Sequence, residues 1–332
     1  MRALTVVSLA VLSASSVLAG PLQTYKEVTS VHWVVRNIDH VAAGWGQLGF
    51  PLLHDFGEVT LPVRYRGEPR SAVVRVAQAS FAGLDVFWFQ PVSGTNAWSD
   101  FLEKHGDGVM SVNYAVPSSE ALDAEVARLE GLGVGVLQSL EVDAGAGPVR
   151  AVHMDTEAGG KYVLGLTTGR VPAPPKAALP APFGAKLSQY AVVVRDLGAV
   201  SRYWEKLGLP AMEVTHPTLT DLTYHGEPGR FDQRLGWHRH GTVTWEWIVP
   251  LKGPTVYQDF LDESGEGLHH LALDVKDLDA VARAWTALGY PIVQSGAWGE
   301  KGRPGSGRFA YADTTSIGGV TIELLWNYNE GS

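Results

Sequence analysis

The sequence predicts an α+β protein built as a tandem duplication, in which each copy is a pair of βαβββ modules. Three observations predict it. Paired positions recur at one constant offset, four helical patterns each end in Leu-Gly after a strand, and a proline-rich segment separates the copies. Strands that follow a single helix through tight turns make mostly antiparallel sheets with helices on one face. Paired modules then enclose a concave sheet surface.

The first copy begins at Thr29, where an alternating run leads to Val35. Asn37 caps a helix that sets Ile38, Val41, Trp45 and Leu48 on one face, and Gly49 ends it. Alternating runs follow at 72–77 and 84–89. A second unit starts at 111–116, and its helix carries Leu122, Val126, Leu129 and Leu132 before Gly133. Residues 167–186 hold five prolines and no apolar period, which marks a linker over 169–186 between domains at 25–168 and 187–328.

Beyond the linker the pattern restarts. Trp45, Leu48, Gly49 and Pro51 recur as Trp204, Leu207, Gly208 and Pro210. Tyr65 and Gly67-Glu68-Pro69 recur as Tyr224 and Gly226-Glu227-Pro228. Asp100-Phe101-Leu102 recurs as Asp259-Phe260-Leu261, and Gly106 and Gly108 as Gly265 and Gly267. The offset is 159 throughout (204 minus 45). One offset held over that span is a duplication. The helix endings Leu48-Gly49, Leu132-Gly133, Leu207-Gly208 and Leu288-Gly289 divide each copy again, giving four modules.

The chain has 332 residues, 45% hydrophobic and 18% charged, enough for two domain cores. With 26 basic against 35 acidic residues its formal net charge is -9. An acidic surface without basic runs argues against nucleic acid or an anionic membrane as partner. Residues 1–19 read as a signal peptide: Arg2, an apolar stretch from Leu4 to Leu12, and small residues ending at Ala19. The stretch is too short and Ser-interrupted to span a membrane. The expectation is export, to the periplasm or beyond, with no membrane attachment after cleavage. The absence of cysteine excludes disulfides and thiolate metal sites.

Within the second copy, residues 265–279 form a strand-turn-helix unit with a histidine pair at the strand's start. Successive strand side chains face opposite ways, so only one of His269 and His270 is expected to point inward.

The modules, with Gln189 to Leu197, the Glu246 to Pro250 run, Gly267-Leu268-His269-His270 and Ile322-Glu323-Leu324-Leu325, resemble the vicinal oxygen chelate superfamily, which includes glyoxalase I, methylmalonyl-CoA epimerase and extradiol dioxygenases. The resemblance covers about residues 28–166 and 187–326. It implies one ligand per strand, on Gln189, Glu246, His270 and Glu323, with His269 left as structural. Two carboxylates, an amide oxygen and an imidazole suit one divalent ion, Zn, Ni, Co or Mn, or Fe(II) for dioxygenase chemistry. Strand parity agrees. The same-face neighbours Ala191, Thr244, Ala272 and Thr321 are small, as a cavity requires, while the outward Tyr190, Trp245, Trp247, Leu271 and Ile322 are bulky.

Subtracting the offset sets Ser30, Phe87 and Ser111 against three of the ligands, and aligning Gly160 with Gly319 sets Leu164 against Glu323. The first domain is therefore expected to be degenerate and metal-free, with His32, Asp85 and Asn113 as a hydrogen-bonded polar patch. Around the second site, His238 and His240 share a strand face, and Arg303 and Arg308 flank a Gly-rich loop; all four are candidate substrate contacts. The resemblance implies an isomerase or lyase acting beside a carbonyl of a small hydroxy-carbonyl substrate, with Glu323, or else Glu246, taking a carbon-bound proton. Its alternatives are an extradiol ring-cleaving dioxygenase, against which Gln189 and Glu246 count, and a non-catalytic binding protein of the drug-resistance type. Homo-oligomerisation is left open.

Overall fold

The computed structural model describes residues 25–143, 145, 147–169, 171, 182–239, 241 and 243–328. The signal-like residues 1–19 and most of the linker lie outside these. The first half runs β1 (Val28–Val34), α1 (Ile38–Gln47), β2 (Leu52–Tyr65), β3 (Glu68–Phe81), β4 (Leu84–Ser93), α2 (Ala97–His105), β5 (Gly108–Ala115), α3 (Ser119–Gly131), β6 (Val136–Asp143), β7 (Pro148–Met154), α4 (Glu157–Gly160) and β8 (Val163–Thr168). The second runs β9 (Lys186–Val193), α5 (Leu197–Lys206), β10 (Glu213–Thr215), β11 (Leu219–Tyr224), β12 (Glu227–Pro228), β13 (Asp232–His238) and β14 (Thr244–Lys252). It continues with α6 (Val256–Glu263), β15 (Gly267–Asp274), α7 (Leu278–Ala287), β16 (Ile292–Trp298), β17 (Gly307–Ala312) and β18 (Thr321–Asn327).

Caps fix where the helices begin. The side chain of Asn37 accepts from the His40 N–H, and Asp196 and Asp277 do the same for Ala199 and Ala280. In each half the strand before the first helix pairs in parallel with one neighbour and antiparallel with the strand that opens the second unit.

The halves differ in closure. In the first, β2 and β3 pair from Leu52–Ala79 to Tyr65–Glu68, and the eight strands close into a barrel. In the second, the corresponding hairpin is parted. β10 pairs with β13 over three residues and β11 with β12 over two, with Pro217 between β10 and β11. Proline has no amide hydrogen to give a ladder. The ten-stranded sheet therefore stays an open half-barrel.

One apolar core spans both halves. At its centre the Tyr162 ring stacks on Trp204 at 4.7 Å and on Trp245 at 4.4 Å. The Trp204 indole donates to the Gly160 carbonyl at 3.3 Å, and Trp45 donates to the Ile317 carbonyl at 2.8 Å, a contact of the same kind on the opposite side. Gly160 permits this approach, since a Cβ there would lie 2.5 Å from the Trp204 ring.

Strand pairing corrects one assignment. Asn113 pairs with Gly165 as Ala272 pairs with Glu323, so the counterpart of Glu323 is Gly165. Leu164 points into the apolar core instead. The Asn113 side chain fills the space that Gly165 leaves open; a Cβ on Gly165 would stand 1.7 Å from Asn113 Oδ1. Ser111 donates to that oxygen at 3.1 Å, and the Asn113 amide donates to Ser30 Oγ at 3.3 Å. His32 and His153 share a 3.0 Å hydrogen bond, and burial holds both below the usual imidazole range. Asp85 is half-buried on β4.

Gly165→Ala should therefore cost about 1–3 kcal/mol in urea unfolding, as overpacking does. In an Asn113→Ala background the same change should cost far less. Additive costs would mean that Asn113 does not occupy that space.

Candidate metal centre

Four strands bring Gln189, Glu246, His270 and Glu323 to one point on the concave face. Their register explains how. Thr244, Gln189, Ala272 and Glu323 form one row across β14, β9, β15 and β18, and Glu246, Ala191, His270 and Thr321 form the next. Long and small residues alternate like the squares of a chessboard, so each long side chain has room to lean over a small one.

Glu246, His270 and Glu323 are all buried, and one ligand atom from each lies within 4.8 Å of the others. His270 Nε2 is 3.5 Å from Glu246 Oε2 and 3.4 Å from Glu323 Oε2, and no hydrogen bond satisfies it. The Gln189 amide oxygen faces the same two carboxylates, at 3.1 Å from Glu323 and 3.3 Å from Glu246; rotated, its nitrogen would donate to both. Atoms held at about 2.0–2.2 Å from one ion stand about 3.0–3.6 Å apart. Three buried lone-pair donors facing one another, with the half-buried Gln189 amide beside them, fit a divalent cation.

Burial works against a charged His270, but Glu246 and Glu323 outweigh it and raise the imidazole to about 9. Burial, with Glu323 alongside, raises the Glu246 carboxyl above its usual range. Glu323 is anchored on its far side. Tyr311 donates to Glu323 Oε1 at 2.7 Å and accepts from Tyr257 at 2.6 Å. Burial and the two carboxylates push both phenols well above their normal range, so they remain donors.

The parity expectation for the histidine pair needs correction. A bulge between Leu268 and His270 inserts one residue, and His269 lies beside His270 with their Nδ1 atoms 2.8 Å apart. Burial and the neighbouring His270 lower His269 well below the usual imidazole range.

The centre forms the floor of a cavity of about 390 Å³, walled by Trp237, Leu235, Trp298, Phe309, Leu325, Tyr257 and Tyr311, with Arg239 as a lining cation. Such a volume suits a small molecule. The expected substrate contacts are placed elsewhere. His238 pairs opposite Trp245, on the helix-backed side, and accepts from the Trp247 indole at 3.3 Å. Trp237, paired with Glu246, faces the cavity instead. His240 lies outside the described residues. Arg308 makes a two-pronged contact with Asp279 on α7 at 2.8 and 2.9 Å, and Arg303 is exposed beside Glu300. Arg239, adjacent in sequence to His238 and His240, holds its guanidinium 4.4 Å from the Trp237 ring and lines the cavity.

Residues 188–311 match the model of the glyoxalase/bleomycin resistance protein/dioxygenase superfamily. Comparison with curated proteins gave no match. Among solved structures, a mutant of 4-hydroxymandelate synthase from Streptomyces coelicolor is similar with a TM-score of 0.59 at 16% identity, over 92% of this chain and 93% of that one. A fusion of a xylose isomerase-like TIM barrel with 4-hydroxyphenylpyruvate dioxygenase gives 0.51 at 12% identity, over 92% of this chain and 50% of that one. At these identities the likeness is one of fold.

Metal affinity should depend on pH. Below about 9 an ion must displace a proton from His270. Affinity for Zn²⁺ or Mn²⁺ should therefore be weakest at low pH and rise by up to about tenfold per pH unit toward that value. Chelator competition between about pH 6 and about pH 8 checks this. A flat profile would put His270 outside the ligand set.

Proposed function

From a second half that belongs to the vicinal oxygen chelate superfamily, we propose that this protein is a metal-dependent isomerase or lyase that removes a proton beside the carbonyl of a small hydroxy-carbonyl substrate. The observation that carries this reading is the convergence of three buried ligand side chains, with the half-buried Gln189 amide beside them, on a small-molecule cavity. A divalent ion held by Gln189, Glu246, His270 and Glu323 would supply Lewis acidity to two neighbouring substrate oxygens and so acidify the adjacent C–H. Residues 1–19, read as a signal peptide, make export part of the proposal.

Hydrogen bonding divides the two carboxylates. Glu323 is held by Tyr311, backed by Tyr257, and serves as a fixed ligand. Glu246 lines the cavity, and among the described residues none hydrogen-bonds its second oxygen. Burial raises its carboxyl above the ordinary carboxylate range, which makes it a stronger base than a solvated glutamate. The family resemblance favours Glu323 as base; the hydrogen bonding favours Glu246. The indole and phenyl walls limit water around the reacting carbon.

Proton exchange on glyceraldehyde and hydroxyacetone in deuterated water, followed by NMR, tests this. Glu246→Gln should keep measurable metal binding and lose exchange by about two to four orders of magnitude. Tyr311→Phe should cost less, since it loosens a ligand without removing the base. Full exchange in Glu246→Gln, with loss in Glu323→Gln, would return the base to Glu323. Metal-dependent oxygen uptake with catechols, without exchange, would favour the dioxygenase reading.

A further inference from the structure

The histidine beside the ligand is not required by the fold. In the first half the same bulge occurs: His32 pairs with Ser111, Trp33 pairs with Val109, and the inserted residue is Met110. Met110 sits in the barrel's apolar cluster. Its counterpart His269 is equally buried, at 4% exposure, with its ring 5.1 Å from Phe260 and 5.6 Å from Tyr257. An apolar side chain thus satisfies this position where the neighbouring residue is a serine. An imidazole stands there where the neighbour is His270.

The contact between the rings constrains both protons. A 2.8 Å approach of two Nδ1 atoms needs one donor and one acceptor. His270 Nε2 faces Glu246 and Glu323. To offer a lone pair there, neutral His270 must carry its proton on Nδ1. His269 Nδ1 is then the acceptor, with the His269 proton on Nε2.

We propose that His269 is a positioning residue: it accepts the His270 Nδ1–H, fixes that tautomer and ring angle, and so presents His270 Nε2 to a divalent cation. This rests on the metal reading above. An imidazole acceptor here fills the place usually taken by a carboxylate or carbonyl behind a metal-bound histidine. It adds no third anion to a site that already buries two carboxylates.

The test uses the full chain with Zn²⁺ as probe. Zinc affinity is measured by chelator competition for wild type, His269→Met, His269→Phe and His269→Gln. Methionine copies the first half, and glutamine restores an acceptor. The Met and Phe variants should lose zinc affinity by about 10–100-fold, with the thermal midpoint of the metal-free protein little changed. The Gln variant should recover most of the affinity. Nitrogen-15 imidazole spectra of the zinc-loaded wild type should show His270 protonated on Nδ1. Equal zinc affinity in all four proteins, a Gln variant as weak as Phe, or a His270 proton on Nε2 would overturn the proposal while leaving the metal reading standing. A wild type that binds no zinc, Mn²⁺ or Co²⁺ would overturn both.

Discussion

The site depends on the cross-strand register of β14, β9, β15 and β18. Side chains on neighbouring strands stand about 5 Å apart, and each strand contributes every second residue to a face. Four long polar side chains can meet only if the squares between them are nearly empty. Ala191, Thr244, Ala272 and Thr321 fill those squares. In the first half the squares are exchanged. Ser30, Ser111 and Gly165 occupy three ligand squares, while Asn113 and His32 occupy two of the small ones. The same ladder therefore yields a hydrogen-bonded serine–asparagine cluster in one copy and a centre with two carboxylates in the other.

Electrostatics separates these outcomes. Two carboxylates brought together in a buried place repel and lose water, which is tolerable only with a cation or a proton among them. His270 supplies a proton when no metal competes, and its elevated pKa is the sign of that role. The first copy avoids two meeting carboxylates, since Asp85, opposite Ser30, is the acid among these squares. Its acceptors meet donors within hydrogen-bonding distance, and the barrel closes over them.

Much of this was legible in the sequence. The offset of 159 exposed the duplication, and the small neighbours of Gln189, Glu246, His270 and Glu323 marked a concave, unfilled face. Other features were not legible, each for a physical reason. Parity fails at a bulge, so His269 was assigned to the wrong face. The phase of β13 is set by its pairing with β14, which turns Trp237 and Arg239 inward and His238 outward. Tyr257 and Tyr311 come from a helix and a strand 54 residues apart, and only the tertiary fold joins them to Glu323. Leu164 falls against Glu323 only when Gly160 is set against Gly319. The offset drops to 156 at Leu132 and Leu288 (288 minus 132) and is 158 at Gly165 and Glu323 (323 minus 165), so a single anchor cannot carry the alignment across the last strand.

The stack of Tyr162 on Trp204 and Trp245 has a mechanical consequence. Trp245 lies between Thr244 and Glu246, so the strand that carries a proposed ligand is braced from behind by an aromatic ring of the first half. A second half released from the first would turn those indoles to water and lose the support that holds Glu246 in register. The first copy is thus a foundation as well as a duplicate, since its Tyr162 ring forms part of the wall behind the strand of Glu246.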